Sequence, residues 1–357
     1  MKEKDHKGLP WFGIPKLIPY LRGYGRLFLS MVLFGLLASG MDVVIPLFQQ
    51  YAINHFIADS TMQGIWPFVA LYLLVMAVQT ASNYISAYGA CKAELYIGRD
   101  LRREAFDHVQ TLSFSYFNQN SVGYIHARVI SDTDRIAGTL AWGIMEGVWE
   151  IAYLLFAIVM MFALNWKLAL CVMVIVPILV VSSIFFQKKL VFYHRKVREH
   201  NSQITSAFNE GITGAKTTKT LVIEDKVEKE FDQLTGEMKR VSVRAMHFRS
   251  VFMSTTAFAA SIALAIVLWR GGIITREGVM LVGTLSVFMN YAQGMMEPIQ
   301  WLVQVLSSLV NVQVNVERFT KLMETESDVR DTPEVTAKYG DAFHPKKENW
   351  EPLHGDI

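Results

Sequence analysis

The sequence has 357 residues, 52% of them hydrophobic and only 18% charged, with a formal net charge of +2 at pH 7. A soluble domain carries about a quarter charged residues, and the apolar residues here are gathered into runs rather than dispersed. Six runs of about 18 or more mostly apolar residues, at roughly 27–48, 65–86, 143–164, 168–186, 251–269 and 279–302, leave too little polar surface to cover them in a soluble protein, so the composition excludes that class and indicates an integral membrane protein.

The first element is the stretch "MKEKDHKGLPWFGIPKLIPYLRGYG", basic and broken by prolines. Trp11, Phe12, Lys16 and Tyr20 suit a segment lying in the membrane interface, so residues 1–26 are predicted to form an amphipathic elbow; a flexible tail is the alternative. No cleavable signal peptide is expected, because the first apolar run is too long for one. The loop after the first run has no Lys or Arg. The next carries Lys92, Arg99, Arg102, Arg103, Arg128 and Arg135, and the loop between the fourth and fifth runs is denser still. The excess of positive charge places both long loops, and both termini, on the cytoplasmic side of a multi-pass protein of the plasma membrane.

Those two loops, about 90–137 and 188–249, are long but poor in proline and glycine. Structureless loops of that length are uncommon. "AELYIGRDLRREAFDHVQTL" spaces Leu95, Leu101, Phe106 and Val109 near a helical period, and the second loop does likewise. Each loop is therefore predicted to be two helices that continue the spans into the cytosol. Short turns, "LSFSYFNQNSVG" and "GITGAKTTKT", close the far ends.

The second turn invites comparison with a phosphate-binding loop, but the pattern G-x-x-x-x-G-K-[ST] is not met. Ala215 separates Gly214 from Lys216, and the preceding residues read as helix rather than strand. Cys91 and Cys171 show neither metal spacing nor a disulfide framework, and no catalytic or metal-ligating set stands out.

Inside the runs, ionisable residues are the functional candidates, because hydrocarbon penalises them. Asp42, Glu146, Glu150 and Glu297 qualify. Glu146 and Glu150 share a helix face with Trp142 and Trp149 close by, and Glu297 precedes Pro298 with Met295 and Met296 beside it. Acid, aromatic and methionine side chains together suit an amphiphilic cation; the alternative is that each acid pairs with a neighbouring span or faces water. Pro46, Pro177 and Pro298 lie inside runs and mark expected kinks.

Residues 112–136, "LSFSYFNQNSVGYIHARVISDTDRI", resemble the first intracellular loop of type I ABC exporters, with Phe117, Gly123, Arg128, Asp132 and Asp134 at matching places. "GAKTTKTLVIEDK" is similar to that family's second loop, through Gly214, Thr217, Lys219 and Glu224, and "VNVERFTKLMETE" resembles its sixth-span exit, with the pair Glu317 and Arg318. Tyr124 and Thr218 depart from the family's usual residues. The resemblance covers the chain from elbow to end and implies an all-α membrane protein of six transmembrane helices with two long helical cytoplasmic extensions, the type I exporter transmembrane fold, over residues 27–323. It further implies that 324–357 is a linker leading into an ATP-binding domain, with "LHGDI" as the start of that domain's first strand. ATP and Mg are then expected on that domain and no cofactor in this chain, which has no G-x-x-x-x-G-K-[ST] and so no expected ATPase activity of its own.

By the same resemblance the tips dock in grooves of ATP-binding domains. Phe114, Tyr116 and Phe117 supply an apolar anchor on the first tip; Gly211 and Gly214 give the second its compactness, and Thr213, Thr217 and Thr218 give it hydroxyls able to cap or hydrogen-bond, with Lys219 alongside. Two such halves form a dimer, homo- or heteromeric, around a substrate path for a drug, lipid or peptide. Trp142, Glu146, Trp149, Glu150, Met295 and Glu297 are the cavity candidates. The competing readings are an ion-coupled secondary transporter and a membrane scaffold that does not transport.

Overall fold

Apolar runs set the helices of this chain, and prolines set where two of them break. The computed structural model describes residues 14–329, 331–341 and 343–351, and among these there is no β-strand. A short α1 (Ile14–Leu21) leads into α2 (Gly25–Tyr51), which ends in a π-helical turn, Ala52–Ile57. Helix α3 (Ile65–Gln110) then runs 46 residues without interruption, about 69 Å at 1.5 Å per residue. The return passes through α4 (Phe114–Gln119), α5 (Val122–His126) and a π-helical segment, Ala127–Asp132, into α6 (Thr133–Leu164). Asn165 caps the next helix, its side-chain oxygen accepting from the Leu168 N–H at 3.1 Å. There follow α7 (Trp166–Met173), α8 (Ile175–Thr213), α9 (Ala215–Leu221), α10 (Glu224–Arg276), α11 (Val282–Gly294), α12 (Met296–Met323) and α13 (Pro333–Tyr339).

Five helical stretches among the described residues are long and apolar enough to cross a membrane: Pro15–Ile57, Ile65–Gln110, Val122–Leu164, Trp166–Thr213 and Glu224–Arg276. The sixth predicted run is not among them; it spans a break between α11 and α12. The break has a local cause. Pro298 has no N–H to give the carbonyl four residues earlier, that of Gly294, and its ring crowds that carbonyl. Gly294 is where α11 ends. Pro177 acts in the same way on Met173, the last residue of α7. Pro46 instead sits inside an unbroken α2, where the Tyr291 hydroxyl donates to the adjacent Val43 carbonyl at 2.5 Å.

The helices fall into two compact units: Met1–Gly35 with Ala81–Val148 and Ser307–Ile357, and Leu36–Thr80 with Trp149–Leu306. The first has its core along one stripe of α3, where Ala90, Ala93, Ile97, Leu101 and Ala105 are all fully buried. This is the i, i+3/i+4 pattern of a buried helix face. Beyond the apolar run, where water is the alternative to burial, Ile97 and Leu101 each contribute about 2 kcal/mol. Gly89 extends the stripe, since a Cβ there would lie 2.6 Å from Met31 Cγ. The second unit is built on Phe288, Tyr291 and Met295 of the sixth span, packed with Met161, Leu168 and Leu179.

In the first unit the elbow helix buries Leu17, and Tyr20 meets Phe319 edge-on with centroids 6.0 Å apart. Trp11 and Phe12, and the "LHGDI" segment, lie outside the described residues. The stretch expected to be a linker is helical in part: Thr332 caps α13, and Lys338 pairs with Glu351 at 2.8 Å. Its α-helix is too short to carry a periodicity signal.

Candidate functional site

Two kinds of place could do chemistry or transmit force: the tips of the long extensions and the polar residues inside the spans. At the first tip, α4 joins α3 to α5 along the chain. Its three aromatics point in different directions. Phe114 is 88% exposed, Phe117 is 40% exposed, and Tyr116 packs against the core of its own unit. The exposed apolar surface of this tip is therefore led by Phe114, while Tyr116 holds α4 in place.

The base of that tip is an ion pair. Arg128 Nη1 lies 2.6 Å from Asp132 Oδ2, with the two side chains only 13% and 4% exposed. The guanidinium also stacks over the Tyr124 ring at 4.4 Å. Asp134 reaches Arg102 of α3 at 3.5 Å in a more exposed pair. The tip is also fastened to the chain leaving α12. Ser115 donates to the Asp328 carboxylate, and His108 Nε2 is 3.0 Å from the Thr325 carbonyl. Sequence reasoning named Arg128, Asp132 and Asp134 but had no local signal for the Asp328 contact, since 213 residues separate its partners.

The second tip is α9, between α8 and α10. Gly211 lies in the last turns of α8. Gly214 joins the two helices with an ordinary negative φ of −88°, and its lack of a side chain matters for closeness: a Cβ would sit 2.9 Å from the Glu210 carbonyl. Of the two uses expected for the tip's hydroxyls, capping or hydrogen bonding, Thr213 takes the second. No side chain caps α9, and the Thr213 hydroxyl instead donates back to the Asn209 carbonyl at 2.6 Å. Thr217 is exposed. Lys219 pairs with Glu224 at 2.9 Å across the end of the turn, and that hydrogen bond from the ammonium is the main reason the Glu224 carboxyl is held below its ordinary value of 4.5.

Val222 carries no local signal in the sequence. It ends α9 in the left-handed region at φ 54°, ψ 48°, with its side chain 81% exposed. A β-branched residue pays about 1–3 kcal/mol for that conformation. It stands with Phe208, Ile212 and Leu221 as exposed apolar side chains of the same tip. Replacing Val222 with Gly should raise the chain's stability by about 1 kcal/mol, strain relief exceeding the added backbone entropy. A thermal unfolding midpoint that falls in Val222→Gly would show that no strain is stored there.

Inside the spans the carboxylates and indoles pair differently from their sequence spacing. The Trp142 indole donates to Glu94 Oε2 at 2.8 Å, and the Trp149 indole donates to Asp42 Oδ2 at 2.9 Å. Gln79 gives Asp42 its second donor, Nε2 to Oδ1 at 2.9 Å. Trp149 and Tyr153 stack with centroids 6.0 Å apart. Glu146 is exposed and Glu150 buried, four residues apart along α6. Glu297 is exposed, but Met295 is 0% exposed and belongs to the core of the second unit. Met295 is thus a packing residue here. Glu94, Gln79 and Tyr153, unmentioned by the sequence argument, are brought in from other turns and other spans.

Comparison with known proteins gives these features a setting. The family described as the ABC transporter transmembrane region matches residues 27–299. An uncharacterised ABC transporter ATP-binding protein, YknV of Bacillus subtilis, is 24% identical over 347 residues, 97% of this chain and 56% of that protein. A protein provisionally named multidrug export ATP-binding/permease protein YgaD, from the same organism, is 21% identical over 324 residues, 89% of this chain and 56% of its own length. The ATP-dependent lipid A-core flippase of Vibrio cholerae is 24% identical over 320 residues, 89% of this chain and 55% of the flippase. The chain spans about half the length of these relatives.

Proposed function

The chain belongs to the ABC transporter transmembrane family, and on that premise we propose that it is the membrane-spanning half of an ATP-driven exporter of amphiphilic molecules. Two halves line one path, and ATP-binding domains that carry ATP and Mg seat the tips α4 and α9. Their closure is carried by the long helices into the bilayer, switching the path between inward- and outward-facing states. The energy comes from the ligand's and nucleotide's different affinities for the two states, with the helices only transmitting it. The termini and both tips lie on the cytoplasmic side of the cell membrane, as the Lys and Arg distribution favours.

The observation that best supports this reading is Phe114. A large aromatic side chain 88% uncovered by its own chain, on a tip whose base is a buried ion pair, is a rigidly presented apolar anchor. The relatives add weight to both drug-like and lipid-like cargo, since one is named for multidrug export and another as a lipid A-core flippase.

The test is uptake into inside-out vesicles holding the chain together with its ATP-binding domains. A fluorescent amphiphile should accumulate on addition of ATP and Mg and stop when ATP is replaced by a non-hydrolysable analogue. Accumulation driven by an ion gradient without ATP would favour an ion-coupled transporter instead, and no accumulation under either drive would favour a scaffold.

A further inference from the structure

We propose that Asp42 is the membrane-embedded counter-ion for a positive charge on the transported molecule, with Trp149 and Tyr153 completing a site for an organic ammonium or phosphonium group. The word transported rests on the exporter reading above; the binding itself rests on geometry within the second unit.

Asp42 lies within the first apolar run, six residues before its end, and is half-buried, so it is removed from bulk water yet still reachable. Its two oxygens each accept one hydrogen bond, from the Gln79 amide and the Trp149 indole, both at 2.9 Å. Both donors are neutral. They fix the carboxylate's orientation and leave its charge uncompensated, and among the described residues no ion pair includes Asp42. A carboxylate has about four acceptor positions, of which two are used here. An ionised group within a span calls for a partner, and the partner it lacks among the described residues is a cation.

The surroundings select the kind of cation. Trp149 and Tyr153 stack with ring planes 23° apart, so the indole that orients the carboxylate belongs to an aromatic pair beside it. Carboxylate beside aromatic face is the chemistry that holds soft organic cations, where an alkali ion would prefer more oxygens. Pro46 adds to it by removing the helical donor that would otherwise close on the Asp42 carbonyl. The position of Tyr153 depends in turn on Gly294, because a Cβ there would overlap the Tyr153 hydroxyl. The site is thereby tied to the break in the sixth span.

The experiment uses the chain in lipid nanodiscs without ATP. Tetraphenylphosphonium and its neutral relative triphenylphosphine oxide are titrated while tryptophan fluorescence is followed. The cation's Kd should rise about tenfold or more in Asp42→Asn, the oxide's Kd should stay the same, and Asp42→Glu should restore cation binding. In parallel, dicyclohexylcarbodiimide modification of Asp42 in the unaltered chain is followed by mass spectrometry; tetraphenylphosphonium should protect that residue and the oxide should not. This second arm needs no variant to fold. Absence of cation binding by the unaltered chain, equal weakening of both ligands in Asp42→Asn, or no protection of Asp42 would each overturn the proposal. Because no ATP is used, such a result leaves the exporter reading standing, and a failure of ATP-driven uptake leaves this binding result untouched.

Discussion

Phe114→Asp should lower ATP-driven uptake by the assembled transporter at least tenfold or so, with the unfolding midpoint of the membrane chain unchanged. Both halves of that expectation follow from exposure. A side chain 88% uncovered contributes almost nothing to its own fold, so changing it costs little stability. If it fills a groove of a partner, it belongs to the class of central aromatic anchors whose loss costs about 2 kcal/mol or more, a factor of roughly 30 in affinity. Tyr116 is the internal control, two residues away and packed into the chain's own core. Tyr116→Ala should reduce stability by about 2–4 kcal/mol and affect coupling only through that loss. Unaltered uptake in Phe114→Asp would remove the anchor role from this tip.

Asp132→Ala should loosen the base of the same tip by about 3–5 kcal/mol, because it strands the Arg128 charge in a site only 13% exposed. Amide exchange across residues 122–133 should then quicken by a factor of about 100 or more. The contrast is Asp134→Ala. Its pair with Arg102 is 3.5 Å long with side chains 35% and 62% exposed, and such pairs contribute about 1 kcal/mol or less. The double change Arg128→Met with Asp132→Leu removes both charges and should recover much of the loss. Equal exchange rates in Asp132→Ala and Asp134→Ala would mean that burial does not set the strength of the Arg128 pair.

Much of the fold was legible because its determinants are local. Long apolar runs give spans, and helical periodicity in loops poor in proline gives extensions; α3, α8 and α10 follow both rules. The breaks at Val174 and Met295 follow from prolines acting four residues back, a rule of backbone chemistry alone. Pro46 escaped it, since α2 continues there with the Tyr291 hydroxyl from the sixth span on the next carbonyl. The site was less legible for the same reason. Spacing put Trp142 and Trp149 beside Glu146 and Glu150, but a helix rise cannot say that the two indoles reach Glu94 and Asp42 on other helices. Nor can composition tell that Tyr116 turns inward while Phe114 turns out, or that the strained residue of the second tip is a valine and not one of its glycines. Those are properties of packing.

Whether α4 and α9 seat an ATP-binding domain is decided by photo-crosslinking from the two exposed tip positions. A photoreactive amino acid placed at Phe114, and separately at Val222, would be irradiated in intact cells and its adducts identified by mass spectrometry. Both positions should capture a polypeptide segment that carries G-x-x-x-x-G-K-[ST]. Adducts at both positions confined to lipid, or to proteins without that motif, would show that the tips seat no such domain.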